Sequence, residues 1–182
     1  EPLGMSQEDP TIVVTPVDTR RFIGGAGIVA AHAAGLEAEV HYLSVTGNDE
    51  PREYALRNLR DGGVRACLLE DDTRPTTLKQ RFRANGMTLL RVSHLHQASI
   101  DLNLQDQIFE RFDDLAASCQ LLVFSDYNYG CLPQTLVDRL VKRAREAGMT
   151  MAADSQCSSQ IGDVSRFRGM SLLTPTEHEA RV

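Results

Sequence analysis

Residues 101–155, DLNLQDQIFERFDDLAASCQLLVFSDYNYGCLPQTLVDRLVKRAREAGMTMAADS, decide the predicted fold. Apolar side chains in the first part recur at the spacing of one helix face: Leu104, Ile108, Phe112 and Leu115. The apolar run QLLVFSD that follows is typical of a strand. A second helix then begins at Pro133 and ends at Gly148, and MTMAAD reads as another strand. This alternation predicts an α/β fold with a mostly parallel sheet between helices.

The rest of the chain extends the same alternation. Residues 169–175 are predicted as a short strand, and residues 177–182 as the first turns of a helix. Toward the N-terminus, the pattern predicts further helices and strands, in the order helix 26–36, strand 38–47, helix 50–63 and strand 64–70. Residues 10–17, PTIVVTPV, read as an edge strand because prolines flank them.

An antiparallel insert interrupts this pattern. Residues 76–92 alternate in character around Asn85-Gly86, the strongest short-range signal for a hairpin, because both residues accept a positive φ. The sequence therefore predicts a β-ribbon on an otherwise parallel fold.

Length and charge exclude several classes of function. The 182 residues suit one domain, and the net charge of −6 gives no attraction for nucleic acid or an anionic membrane. The longest apolar run falls short of the ~18 residues that a membrane span needs. We therefore expect a cytoplasmic protein with neither kind of partner. The four cysteines are Cys67, Cys119, Cys131 and Cys157; they form no CxxC pair, and we expect free, mostly buried thiols.

Candidate ligand-binding residues follow the predicted strands, since open α/β sheets bind ligands beyond the carboxyl ends of their strands. These positions are residues 46–49, 126–130, 154–156 and 174–179. The glycine cluster RFIGGAG, residues 21–27, allows a ligand to approach backbone amides closely. It lacks the lysine and hydroxyl residue of a Walker loop, and Ala30 stands where the dinucleotide fingerprint needs its third glycine.

The order of these segments resembles the ribokinase-like (PfkB) carbohydrate kinases. The segment FIGGAGIVAAHAAGL with EVHYLSVTGND resembles the first signature of that family. Further motifs follow in the family's order: PTTLKQRFRANGMTLLRV, LLVFSDYNYG, MAADSQ and MSLLTPTEHE. The nearest branch is similar to kinases of D-glycero-D-manno-heptose 7-phosphate. The resemblance implies a three-layer α/β/α domain over residues 1–182, with a small antiparallel β lid formed by residues 9–22 and 76–93.

The resemblance also implies roles for individual residues. The substrate-binding positions would be Gly24, Gly25, Lys79, Arg81 and Asp126. The nucleotide-binding positions would be Asp154, Thr176 and Glu179, and Glu179 would also help to hold Mg²⁺ through water. The cofactors would be ATP and Mg²⁺, and the substrate a sugar or sugar phosphate whose hydroxyl receives the γ-phosphoryl group. The lid would cover the sugar and form a homodimer.

The family's Asp-Thr-Thr-Gly-Ala-Gly-Asp signature, which holds the catalytic aspartate, is not found in residues 1–182, and neither is its first Gly-Asp strand. We therefore expect the chain to be a fragment, with the catalytic aspartate beyond Val182. Four positions inside the matched motifs depart from the family pattern: Ile28, Tyr129, Gln156 and Thr176.

These departures leave alternatives open. The first hypothesis is an ATP-dependent carbohydrate kinase. The second is a catalytically impaired sugar-binding or regulatory protein that keeps the kinase fold. The third is a nucleotide-binding α/β domain of another class, which the failed Walker and dinucleotide fingerprints disfavour.

Overall fold

The computed structural model describes residues 2–6, 8–9, 11–156 and 163–181. In chain order its α-helices and β-strands are β1 (Pro2–Met5), β2 (Ile12–Val14), α1 (Ala26–Gly35), β3 (His41–Thr46), α2 (Glu50–Asp61), β4 (Arg65–Glu70), β5 (Leu78–Ala84), β6 (Met87–His94), α3 (Leu102–Ala116), β7 (Leu121–Asp126), α4 (Gln134–Glu146), β8 (Thr150–Ser155) and β9 (Leu172–Leu173). A 3-10 helix, Val164–Arg166, lies between β8 and β9. The described elements follow the predicted succession of helices and strands, with β1 as an addition that the sequence pattern did not suggest.

The chain divides into two compact units. The smaller unit comprises Glu1–Phe22 and Leu78–His94, and the larger one Ile23–Thr77 and Leu95–Val182. In the smaller unit, β1 pairs with β2 and β5 pairs with β6, both antiparallel. The predicted hairpin is confirmed, since Asn85 and Gly86 join β5 to β6 with φ of 51° and 80°. Positive φ at both central residues is what a tight turn between twisted strands requires.

The larger unit contains the parallel strands. Strand β3 pairs with β4, and β8 pairs with β7 on one side and β9 on the other. Among the described residues the parallel pairing thus falls into two sets instead of one continuous ladder. The strand predicted over residues 169–175 is limited to the two residues of β9. The helix expected after it amounts to one turn within the described residues, with Ala180 N–H donating to the Thr176 carbonyl at 3.0 Å.

The main core lies where α3 and α4 meet β7 and β8. Helix α3 contributes its predicted stripe, with Leu104, Ile108 and Phe112 buried, although Ala116 replaces the half-buried Leu115 at the end of the stripe. Helix α4 buries the side of Leu136, Val137, Leu140, Val141 and Ala144. Phe124 of β7 and Ala153 of β8 complete the contact from the sheet side. Parts of β3 and β4 also pack against this cluster, so both parallel sets share one core.

A smaller core lies under α1 and α2. It is built around Ala30, Leu59 and Val64, with Tyr42 of β3 packed against it. Asp49 caps α2, because its carboxylate accepts the Arg52 N–H at 3.2 Å and also the Thr76 N–H at 2.8 Å. A capping carboxylate satisfies amide groups that the first helical turn cannot pair. Asp49 therefore ties the end of β3 to the connection after β4.

The thiols of Cys67, Cys119 and Cys131 are free and half-buried. Burial raises the pKa of the Cys131 thiol, although hydrogen bonds to Val45 and Ser44 act in the opposite sense. Cys157, the fourth cysteine of the predicted set, lies outside the described residues. None of the helices in the described ranges combines the length and the apolar character that a bilayer span requires.

Candidate active site

The glycine turn lies at the start of α1. Gly25 occupies the N-cap position with φ 55° and ψ −139°, a conformation that L side chains rarely adopt. A Cβ added to Gly25 would lie 3.3 Å from Cε2 of Tyr127, whereas one added to Gly24 would meet no atom within 4 Å. The turn therefore packs its backbone against the Tyr127 ring and leaves open space at Gly24.

Asp126 is the last residue of β7 and is only 4% exposed. Its Oδ1 accepts the Asn128 N–H at 2.9 Å, and its Oδ2 pairs with Arg166 Nη1 at 3.0 Å. Burial raises the pKa of this carboxyl, and the bond from Asn128 and the charge of Arg166 offset that effect only in part. Both carboxylate oxygens thus have protein partners in this structure.

Tyr127 lies close both to the glycine turn and to Asp154 of β8. Its ring stacks on that of Tyr129, with centroids 6.4 Å apart and an interplanar angle of 23°. Burial raises the pKa of the Tyr127 phenol, and the negative charge of Asp154 raises it further. Asp154 is therefore close enough to Tyr127 for its charge to act on the phenol. Gly25 lies against the ring of the same residue.

Asp154 is held near the end of β8 by the strand that follows. Its position in the ladder is opposite Ser125, one residue before Asp126. The Thr174 hydroxyl donates to its carboxylate at 3.1 Å, and the Thr174 N–H donates to the Ala153 carbonyl at 3.3 Å. Strand pairing therefore brings Tyr127, Asp154 and Thr174 to one end of the parallel strands, the end where α/β sheets bind ligands. Gly25 joins them through its contact with the Tyr127 ring.

Thr176 and Glu179 form a capping box. The Glu179 carboxylate accepts the Thr176 N–H at 2.7 Å and its hydroxyl at 2.8 Å, while the Glu179 N–H donates to the Thr176 hydroxyl at 3.3 Å. This reciprocal pair starts the turn after β9. Glu179 is 8% exposed, so its carboxylate has a structural task in addition to the predicted contact with Mg²⁺.

The described residues fit a Mg²⁺ ion only through bridging waters or phosphate groups. Across the described ranges there is no group of three or more His, Cys, Asp or Glu side chains placed to hold a metal ion. Mg²⁺ in nucleotide sites commonly keeps several waters and phosphate ligands and takes one or two carboxylates. Glu179 therefore fits the predicted contact with Mg²⁺ through water. The described residues do not surround the ion with protein ligands alone.

Lys79 and Arg81 lie on β5, in the smaller unit. Residues two apart on a strand share a face, so both cations lie on one side of the hairpin. Arg91 of β6 is directly opposite Arg81 in the ladder, and both arginines are exposed. Like charges directly opposite one another destabilise a strand pair, so this face is suited to an anion.

The four departures from the family pattern fall at different places. Ile28 is 39% exposed in the first turn of α1. Tyr129 stacks on Tyr127, and Thr176 belongs to the capping box. Gln156 uses its backbone, donating its N–H to the Asp126 carbonyl at 2.9 Å and accepting from Asn128 Nδ2 at 3.1 Å.

Sequence reasoning missed the two arginines that reach this end of the strands. Arg166 pairs with Asp126, and Arg74 donates to the Tyr129 carbonyl at 3.2 Å. Both lie in polar connections without periodicity, where no spacing rule marks an arginine as buried. The only local signal is the Asp71-x-x-Arg74 spacing, which corresponds to an ion pair of 2.6 Å.

Comparison with known proteins identifies the class. The sequence profile of the pfkB family of carbohydrate kinases matches residues 3–182. The chain therefore belongs to this family, as its motifs indicated, and the prediction from the sequence is confirmed.

Among curated relatives, the chain is 34% identical over 181 residues to the bifunctional protein HldE of Pseudomonas fluorescens strain SBW25, covering 98% of this chain and 36% of that protein. HldE of Paramagnetospirillum magneticum is 27% identical over 176 residues, covering 96% of this chain and 35% of the relative. The chain thus spans about a third of the length of the curated relatives that it matches.

Solved structures agree on the fold. Phosphofructokinase-2 of Escherichia coli in complex with fructose-6-phosphate matches with a TM-score of 0.64 at 19% identity, over 86% of this chain and 50% of that one. Ribokinase from Giardia lamblia matches with a TM-score of 0.62 at 15% identity, over 92% and 54% of the two chains. The predicted ribokinase-like α/β fold is thereby confirmed.

Proposed function

We propose that the protein takes part in ATP-dependent phosphorylation of a hydroxyl group on a sugar phosphate or sugar. The observation that carries this proposal is the match to the carbohydrate kinase family over residues 3–182. The glycine turn, Asp126, Asp154 and Thr176 then take the roles predicted for them, the first two toward the sugar and the last two toward the nucleotide.

The chain's own residues act by binding and orientation. Mg·ATP supplies the phosphoryl group, and such transfers depend on positioning and on stabilising charge. Gly24 and Gly25 offer backbone groups to the sugar: the space beside Gly24 is open, and the Tyr127 ring lies against Gly25. Glu179 would hold the cation through water, and the Thr176 N–H, which donates to its carboxylate at 2.7 Å, fixes the position of that carboxylate.

An anionic substrate is favoured over a neutral sugar. Lys79, Arg81 and Arg91 share one face of the β5–β6 hairpin, and Arg81 is directly opposite Arg91. A phosphate group between such cations replaces their repulsion with charge-assisted hydrogen bonds. We therefore propose a sugar phosphate as substrate, consistent with the predicted heptose 7-phosphate branch.

The antiparallel unit is proposed as the lid and as the surface through which a homodimer forms. Its two segments, Glu1–Phe22 and Leu78–His94, cluster separately from the rest of the chain. Closure of a lid excludes water from the transferred phosphoryl group and limits hydrolysis of ATP.

A coupled assay of ADP release tests the proposal with the intact protein, Mg·ATP and a panel of sugars and their phosphates. We expect turnover only with a phosphorylated sugar. Arg81→Gln should raise KM for that substrate about tenfold, the effect of one charge-assisted hydrogen bond. The matched control Arg57→Gln removes an exposed charge from α2 and should leave KM unchanged.

Absence of turnover with every sugar would contradict the kinase proposal. Calorimetry then distinguishes the second hypothesis, because sugar binding without binding of Mg·ATP is the behaviour expected of a catalytically impaired sugar-binding protein.

A further inference from the structure

The loop after β7, residues 127–132, is held by side chains from two other parts of the larger unit. We call these residues the tyrosine loop, because they include Tyr127 and Tyr129. The Tyr127 ring is the neighbour of Gly25, at 3.3 Å from the position of an added Cβ. The position of the tyrosine loop therefore determines where the Tyr127 ring lies against the glycine turn.

Arg74 holds the loop from the connection after β4. Its side chain is 6% exposed, and its Nε pairs with Asp71 at 2.6 Å. The other two nitrogens donate to backbone carbonyls, Nη1 to Tyr129 at 3.2 Å and Nη2 to Ala98 at 3.0 Å. A planar guanidinium can serve three acceptors in fixed directions, which a lysine ammonium cannot do in the same geometry.

Arg166 holds the loop from the connection after β8. Its Nη1 pairs with Asp126 at 3.0 Å, immediately before the loop, and its Nη2 donates to the carbonyl of Leu132, the last loop residue. The guanidinium also lies over the Phe167 ring, 5.2 Å from its centroid. Arg166 thus joins the two ends of the loop to each other.

The loop backbone has little freedom to settle elsewhere. Gly130 has φ 74°, and a Cβ there would lie 1.9 Å from the Ala98 carbonyl oxygen. The Ile100 N–H donates to the Gly130 carbonyl at 3.0 Å, and Asn128 Nδ2 donates to the Gln156 carbonyl at 3.1 Å. These contacts fix the loop along its length, and the two arginines supply its charged attachments.

We infer that Arg74 and Arg166 are positioning residues of the candidate active site, acting through the tyrosine loop on the glycine turn. Asp126 belongs to the same set of contacts, because one carboxylate oxygen accepts the Asn128 N–H and the other pairs with Arg166. The inference rests on the proposed function for its effect on the substrate, whereas its structural part can be tested without any reaction.

The structural test is ¹⁹F NMR of the intact protein labelled with 3-fluorotyrosine. The chain has four tyrosines, so Tyr→Phe variants assign every signal. In Arg166→Lys and Arg74→Lys, which keep the charge, we expect the signals of Tyr127 and Tyr129 to shift or broaden while that of Tyr54 on α2 stays in place. The control Arg143→Lys alters an arginine that pairs with Asp113 across α3 and α4, and should leave all four signals unchanged.

The functional test measures KM and kcat for the sugar substrate in the same variants. We expect KM to rise about tenfold and kcat to change less, since a displaced site wall weakens binding. Unchanged signals of Tyr127 and Tyr129, or an unchanged KM in a variant with a displaced loop, would overturn the inference.

If a lysine variant does not fold, as a lost Tyr54 signal would indicate, Asp126→Asn replaces it, because the amide keeps the shape and removes the charge partner of Arg166. The same changes in the tyrosine signals are expected, and their absence would overturn the inference. Failure of turnover in the wild-type protein would count against the proposed function alone, because the NMR measurement does not depend on the reaction.

Discussion

Two buried carboxyl groups at the strand ends have pKa values that are shifted in opposite directions. Asp71 follows β4 and accepts bonds from the Thr73 N–H, the Thr73 hydroxyl and Arg74 Nε, at 2.9, 2.6 and 2.6 Å. Burial acts to raise the pKa of its carboxyl, but these bonds outweigh burial and bring the pKa below its ordinary value. Asp126 has fewer partners, so burial leaves its pKa raised. The balance of donors against burial decides the direction.

Asp71→Asn is expected to lower the free energy of unfolding by about 2–3 kcal/mol at pH 7, because it leaves Arg74 without its charge partner. The Asp71 carboxyl has a lower pKa in the folded state than when unfolded, so its contribution is present above the ordinary value of 3.8 and is lost as the pH falls below it. The difference between wild type and variant should therefore narrow from pH 5 to about pH 3.

Urea unfolding at several pH values measures this difference. Asp114→Asn, a change at an exposed position of α3, is the control and should have little effect. A difference between wild type and Asp71→Asn that stays constant down to about pH 3 would contradict the assignment.

Helix ends depend on the backbone conformation that each terminal residue adopts. Helix α4 ends at Glu146 with Ala147 as its C-cap, and Gly148 follows with φ 72°, as the sequence predicted for its end. Gly35 is the last residue of helix α1 and has helical backbone conformation, and Leu36 is the C-cap. A Cβ added at either glycine would meet no atom within 4 Å. The two positions therefore differ in φ and not in available space.

The same substitution should have opposite effects at these two glycines. Gly148→Ala is expected to cost about 1 kcal/mol of unfolding free energy, because alanine is strained in the left-handed region. Gly35→Ala is expected to stabilise by about 0.5 kcal/mol, because alanine loses less backbone entropy in a helix. Thermal and urea unfolding of the two variants provide the measurement. Equal signs would show that factors other than backbone conformation govern these positions.

The packing of the larger unit is concentrated on one side of β7. Phe124 faces the core of α3 and α4, whereas Leu121 and Val123 of the same strand are 53% and 45% exposed. Alternate residues of a strand point to opposite faces of the sheet. Phe124 is therefore buried and Leu121 and Val123 are exposed because of the face that each occupies, although all three side chains are apolar. Leu136 of α4, at 0% exposed, marks the centre of the packed side.

Leu136→Ala should lower the free energy of unfolding by about 2–5 kcal/mol, since it removes buried methyl groups and leaves a cavity. Leu121→Ala, a chemically identical change at an exposed position, should cost less than about 1 kcal/mol. Urea unfolding compares the two variants. Similar losses would mean that Leu121 is covered in the folded protein in solution.

The sequence determined the succession of elements. The helical stripe of α3 apart from Leu115, the end of α4 at Gly148 and the hairpin at Asn85-Gly86 were predicted correctly, because each depends on neighbours within one or two turns of chain. Ordered motifs also indicated the carbohydrate kinase family, which comparison with known proteins confirmed. The roles of individual site residues remain predictions.

Only the tertiary structure decided which polar groups meet. Arg166 reaches Asp126 across 40 residues, and Arg74 reaches Tyr129 across 55. Strand pairing also limited β9 to two residues. Such contacts form when distant connections converge at the ends of parallel strands, and they leave no periodic trace in the chain. Local patterns determine the elements, whereas the convergence of those elements determines which side chains surround the glycine turn.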